Sequence, residues 1–137
     1  MNYFQNNRKM KSIHTEKAPA AVGPYSQAVE SGMRVYVSGQ LPIDPQTGEM
    51  IDGCIKCKAR QSLTNIRHIL EEAGLSMQDV VKVTVLLTDI NDFSAVNEVY
   101  AEFFSEPYPA RSAFAVAALP KGGPIEIEAI AEKSVKV

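Results

Sequence analysis

The chain has 137 residues, 45% hydrophobic and 22% charged, a balance that fits one globular domain with a core of ordinary size. Its 14 Lys and Arg against 16 Asp and Glu leave a net charge of -2, which argues against nucleic acid as a partner because phosphate binding needs a concentrated basic face. No apolar run approaches the roughly 18 residues of a membrane span and Met1 to Asn7 has no leader-like apolar stretch, so a cytoplasmic location away from membranes is expected, with Cys54 and Cys57 as thiols.

Residues 1–10 read as a flexible tail and residues 11–137 as a single domain without repeat or linker, with the basic cluster Arg8-Lys9-Met10-Lys11 at the junction. Lys11 to Thr15 and Gln27 to Glu30 are short strand candidates. Arg34 to Ser38 alternates polar and apolar, the period of a half-buried strand, and Ser31-Gly32 before it makes a hairpin turn. Leu41 to Gly48 is a loop punctuated by Pro42 and Pro45. From Cys57 to Ala73 the apolar residues Ala59, Leu63, Ile66, Leu70 and Ala73 form one stripe of a helix that Gly74 ends. Val81, Val83, Val85 and Leu87 then share one side of a strand. Asp92 is the expected N-cap of a second helix with the stripe Phe93, Val96, Tyr100 and Phe103, stopping before Pro107. Strands at Ser112 to Ala117 and Ile125 to Ala131 close the chain.

That order predicts an α+β fold: one mixed sheet with both helices packed on one face. Ile125, Ile127, Ala129 and Ala131 belong under the helices, with Glu126, Glu128 and Ile130 on the other side. The preceding strand divides into Arg111, Ala113, Ala115 and Ala117 against Ser112, Phe114 and Val116. Both faces carry apolar groups, where a sheet open to water would show a polar one. A second copy of the chain is expected to cover that face, most simply in a closed ring.

Charged residues at strand starts are the first candidates for chemistry. Arg111 could grip a carboxylate through two parallel hydrogen bonds, and Glu126 could steer a water; the competing reading is a plain ion pair between Arg111 and Glu126 or Glu128. Tyr25 follows the Gly23-Pro24 turn, and Gly39 would let a ligand approach the backbone. Cys54-Ile55-Lys56-Cys57 has the spacing of a redox or metal pair, but no second cysteine pair exists, His14 and His68 stand alone, and a loop precedes it. Incidental thiols at a helix start are expected there. Nucleotide loops and a GxSxG elbow are both missing, so no cofactor and no metal is expected.

Several segments together resemble the Rid (YjgF) family. They are Ala18 to Ala28, Val37 to Pro42, Arg60 to Ile66, Asn91-Asp92-Phe93 with Val96-Asn97, Tyr108 to Ser112, and Ile125 to Ala131. The P-A-R-S strand start, followed by I-E-I-E-A with its first Glu fifteen residues after the Arg, is the most specific of them. The resemblance implies a chorismate-mutase-like single domain, assembled as a homotrimer with a central barrel of sheets and sites in the clefts between subunits. It also implies hydrolysis of 2-aminoacrylate-type enamines and their imines, such as 2-iminobutanoate and 2-iminopropanoate, to 2-oxo acids and ammonia without cofactor. Carried over by motif, Arg111 clamps the substrate carboxylate and Glu126 positions water or moves protons. Tyr25 and Asn97 line the cleft, Gly39 lends main-chain groups, and Ala113 stands where many active members have Cys. Two other readings follow from the same cleft and family: a non-catalytic ligand-binding or regulatory trimer, and an endoribonuclease or translation inhibitor, which the net charge disfavours.

Overall fold

The structure, a computed structural model, describes residues 10–134. The expected tail to residue 9, with Arg8 and Lys9 of the basic cluster, lies outside the described residues. Strands β1 (Lys11–Ile13), β2 (Ala28–Ser31) and β3 (Arg34–Gln40) precede helix α1 (Ile55–Glu72), and then come β4 (Val80–Leu87), α2 (Phe93–Phe103), β5 (Ala110–Ala115) and β6 (Ile125–Glu132). They build one six-stranded sheet in the order β1-β2-β3-β6-β4-β5. Only β4 and β5 run parallel, because α2 carries the chain back between them. The sheet is therefore mixed, and the helices lie on one side of it.

Strand alternation decides what they cover. Ile125, Ile127, Ala129 and Ala131 of the central β6 are buried, as are Val35 and Val37 of β3 and Val83, Val85 and Leu87 of β4. Against them pack Ala59, Leu63, Ile66, Ile69 and Leu70 of α1, with Val96, Val99 and Tyr100 of α2. Helix α1 ends as Gly74 turns to φ 77, a conformation cheap for glycine, while the Leu75 N–H closes on the Leu70 carbonyl at 2.8 Å. Two ion pairs, Lys56 with Glu98 and Arg60 with Glu102, staple α1 to α2 along their exposed sides. Among the described residues no helix is long and apolar enough to cross a membrane.

Local departures from the sequence expectation each have a mechanical cause. A register shift between β4 and β6 at Val80/Lys82 turns Val80 inward and leaves Val81 44% exposed, so the buried run begins at Val80. The capping carboxylate before α2 is Asp89, which accepts the Asn91 N–H at 2.9 Å and caps a 3-10 turn, Ile90–Asp92. That turn puts Asp92 itself in a helical conformation, from which it makes no cap bond. Helix α1 begins at Ile55, ahead of the expected Cys57, because the Cys54 side chain serves as its cap. Strand β5 spans Ala110–Ala115 rather than Ser112 to Ala117, so Arg111 stands inside the ladder, opposite Val83.

The face away from the helices mixes apolar groups with polar ones. Tyr36 and Phe114 are exposed there, 39% and 49%, beside half-buried Leu86 and Ile130. Edge strand β5 is exposed along almost its whole length.

Candidate active site

Two cavities hold Tyr25, Gly39, Asn97, Arg111 and Glu126, five of the residues that the sequence singled out. The larger, about 600 Å³, is lined by Tyr25, Gly39 and Glu126, with Ser38, Leu41 and Ile43 among its walls. Buried amides hold those walls. Gln27 accepts the Thr15 N–H at 2.7 Å, and its amide nitrogen donates to the carbonyls of Thr15, Ala18 and Pro19 at 3.0, 3.2 and 2.8 Å. Asn65 on α1 donates to the carbonyls of Leu41 and Ile43 at 3.3 and 3.0 Å and accepts from Gln61. An amide buried this deeply is retained when each of its groups finds a partner, and here the partners are loop backbone. Neither residue was foreseen; the available signal was an amide set within otherwise apolar surroundings.

Tyr25 is delivered by a tight turn in which Gly23 takes φ 121 and the Tyr25 N–H bonds to the Gly23 carbonyl at 2.9 Å. Its phenol oxygen accepts the Val22 N–H at 3.4 Å, and the side chain is exposed at the mouth. Glu126 lies across Gly39. A Cβ built on Gly39 would sit 2.8 Å from the Glu126 carboxyl carbon, closer than side-chain atoms approach. Glycine at this position therefore makes room for the carboxylate. Glu126 is half-buried, and burial pushes its carboxyl above the usual range, with the negative charge of Glu128 adding to the shift. Glu126 makes no ion pair among the described residues.

The second cavity, about 410 Å³, is lined by Asn97, Tyr100, Tyr108 and Arg111. Arg111 donates from Nη1 to Asn97 Oδ1 at 2.7 Å, and its guanidinium carbon lies 4.7 Å from the Tyr100 ring centre and 5.2 Å from that of Phe93. Phe93, Asn97 and Tyr100 are spaced i, i+4, i+7, so one face of α2 presents all three. The expected apolar stripe had placed Phe93 and Tyr100 in the core. Their rings also form a shelf for the cation, with attraction from both faces. Tyr100 is buried and its hydroxyl has no partner among the described residues. Burial pushes that phenol up, against the opposing pull of the Arg111 charge. The guanidinium forms no ion pair among the described residues and uses one of its several N–H donors, leaving the rest of its fork for a ligand. Ala113, two residues on, is half-buried against the core and is not among the residues lining this cavity.

Pairing partners in a sheet point the same way, which settles how the two cavities relate. Arg111 pairs with Val83, whose side chain faces the helices; Glu126 pairs with Leu86, on the opposite face. The plain ion pair between them is therefore not formed. One chain brings Tyr25, Gly39 and Glu126 together, and separately Asn97 and Arg111. It does not unite the two sets.

Cys54 and Cys57 lie in neither cavity; both are exposed, with sulfurs 3.0 Å apart. Among the described residues no three His, Cys, Asp or Glu side chains are grouped to hold a metal ion.

The sequence model of a family described as Endoribonuclease L-PSP matches residues 15–133. The chain is 59% identical over 119 residues to a protein of Capra hircus named 2-iminobutanoate/2-iminopropanoate deaminase, covering 87% of each. Among solved structures it is similar to RidA from a Psychrobacter species, at 56% identity and TM-score 0.86, over 89% of this chain and 98% of that one. It is also similar to Escherichia coli TdcF with bound serine, at 50% identity and TM-score 0.86, over 90% and 99%.

Proposed function

The chain belongs to the endoribonuclease L-PSP family, also called YjgF or Rid, and from that premise we propose that it is a deaminase. Its reaction is the hydrolysis of small 2-imino acids and their enamine tautomers, 2-iminobutanoate and 2-iminopropanoate among them, to 2-oxo acids and ammonia. Relatives of the same length and more than half identical carry that activity in their names. The observation that carries the reading is Arg111: a guanidinium fixed in place by Asn97 and two rings, yet paired with no carboxylate among the described residues. Such a fork suits one small organic anion. One arginine without an ion-pair partner in this cavity, in a chain of net charge -2, supports that ligand over a polynucleotide.

The second half of the site comes from another copy. Three chains closing with their apolar sheet faces inward, as a homotrimer around a barrel of sheets, would cover Tyr36 and Phe114. They would also set the β5 edge of one subunit against the Glu126 cavity of the next. In that cleft Arg111 orients the substrate carboxylate, so the adjacent C=N carbon faces Glu126 and Tyr25. Glu126 accepts a proton from water as the oxygen attacks carbon, giving a carbinolamine. It then returns the proton to nitrogen, and ammonia leaves as the carbinolamine hydroxyl gives its proton to the freed Glu126 carboxylate and becomes the C=O of the 2-oxo acid. A carboxyl raised by burial suits both steps near neutral pH. Protonated imine is a strong enough electrophile to need no further activation. The reaction suits the cytoplasm, where dehydratases release such imines.

The test is a coupled assay in which a threonine dehydratase generates 2-iminobutanoate and its decay is followed with and without this protein. Faster decay that Arg111→Ala removes is the expected result. Unchanged decay beside measurable 2-oxo acid binding would turn the assignment to a ligand-binding assembly.

A further inference from the structure

The cysteine pair at the start of α1 takes no part in imine hydrolysis. Reading the sequence, the missing strand before it spoke against redox use. Thiol chemistry itself has different requirements: a stabilised thiolate, a second sulfur in bonding reach, and access from solvent. All three are met. Cys54 is the N-cap of the 18-residue α1, where its sulfur accepts the Cys57 N–H at 3.4 Å. An anion at a helix start is favoured by the free N–H groups and the helix dipole. The Cys57 sulfur stands 3.0 Å away, and both residues are exposed. The Cys54 thiol is pulled below its usual range, first by the hydrogen bond from the Cys57 thiol and then by the Cys57 backbone N–H. Lys56 and Arg60 bring positive charge to the same turns of the helix, each shared with a glutamate of α2. Gly53, at φ 114, leads the chain in from the other side.

We propose that Cys54 and Cys57 form a redox-active dithiol, a second reactive centre that exchanges with small disulfides. Cys54 is the attacking thiolate and Cys57 the resolving thiol. The Cys54 sulfur attacks one sulfur of a low-molecular-weight disulfide, forming a mixed disulfide and expelling one thiolate. Cys57 then loses its proton to solvent and attacks the Cys54 sulfur, expelling the second thiolate. The protein dithiol is oxidised by two electrons, and one disulfide is reduced to two thiols. Closing the bridge needs the sulfurs to move from 3.0 Å to about 2.0 Å within one helical turn, so the helix persists in both states.

The experiment uses the full chain, reduced and then exposed to oxidised glutathione at neutral pH, quenched by alkylation and weighed intact. Wild type is expected to lose both alkylation sites and retain no glutathione, because the internal bridge forms; a dithiol reductant restores both sites. Cys57→Ser is expected to accumulate one glutathione on Cys54, and Cys54→Ser to acquire it more slowly. Two thiols that stay free in wild type, a glutathione that is never displaced, or a bridge between chains would overturn the proposal. Equal rates in the two variants would overturn the assignment of Cys54 as attacker. Both serine variants keep imine hydrolysis, so a failed exchange reaction is distinguishable from a failed deaminase reading.

Discussion

The Arg111 shelf and the Glu126 cavity solve opposite problems in the same sheet. Arg111 is exposed, and its position comes from rigid neighbours on one helix: two rings and one amide oxygen, all neutral. Glu126 is half-buried, and its position comes from a missing side chain, that of Gly39, within walls tied down by Gln27 and Asn65. The cation keeps its charge uncancelled because its one side-chain hydrogen bond is to a neutral amide and no carboxylate pairs with it among the described residues. The anion is destabilised as a charge by its burial and, to a lesser degree, by the neighbouring charge of Glu128. Each region is left with chemistry it cannot complete alone.

Removing the cation tests this contrast most severely. Arg111→Ala is expected to lower kcat/KM by roughly 30- to 4,000-fold, the equivalent of about 2 to 5 kcal/mol for a lost charge-assisted pair. Arg111→Lys should recover little, since an ammonium lacks the planar fork. Turnover near wild type in either variant would remove Arg111 from the site. Mixing Arg111→Ala with Glu126→Ala subunits, unfolded and refolded together, asks whether the halves meet between chains. Random assembly would pair an intact Arg111 with an intact Glu126 in about a quarter of clefts. Activity reappearing from two inactive proteins is the expected outcome, and persistent silence in well-assembled mixtures would place the site elsewhere.

The walls should respond differently from the shelf. Gln27→Ala leaves buried carbonyls and an N–H without partners, and a loss of about 1 to 3 kcal/mol in urea unfolding is expected. A variant as stable as wild type would mean that water replaces the amide. Gly39→Ala is a subtler lesion. Its Cβ collides with the movable end of Glu126 rather than with backbone, so stability should change by about 0.5 kcal/mol or less while kcat falls about tenfold. An unchanged kcat would show that the carboxylate tolerates displacement.

The smallest effect expected is on pH. With its carboxyl raised, Glu126 must ionise before it can act as base, so kcat should rise with pH along a limb above the ordinary glutamate range. Glu128→Gln removes the lesser of two causes and should move that limb downward without abolishing it. Stability runs the other way. Glu126 contributes fully below its unfolded pKa and loses that contribution as pH rises through the folded value. Glu126→Gln should flatten this part of the stability profile, as denaturant titrations at several pH values can measure.

Much of this was legible in the residues. The 3.6 and 2 periodicities located both helices and most strands, and they separated Ile125, Ile127, Ala129 and Ala131 from Glu126 and Glu128 correctly. Alternation is a property of neighbouring residues, so a linear reading captures it. Val81 escaped because a bulge is decided by how two strands fit, and Asp92 because the chain entered α2 through an extra turn. Phe93 and Tyr100 were seen only as apolar; nothing in their spacing said that a guanidinium from strand β5 would lie on them. The cysteine spacing was plain from the start, whereas the sulfur contact depended on Cys54 becoming a cap.

From the order of its residues alone, this chain determined its element types, its buried stripes and the identities of Arg111 and Glu126 as candidates. These depend on local sterics and on the contrast between apolar and polar side chains, which act over a few residues. Tertiary structure alone decided that those two groups face opposite sides of the sheet, that Gly39 is a space reserved for a carboxylate, and that two amides anchor the cavity walls. Strand register and helix placement bring together residues far apart in the chain, and those are settled by packing the whole core at once.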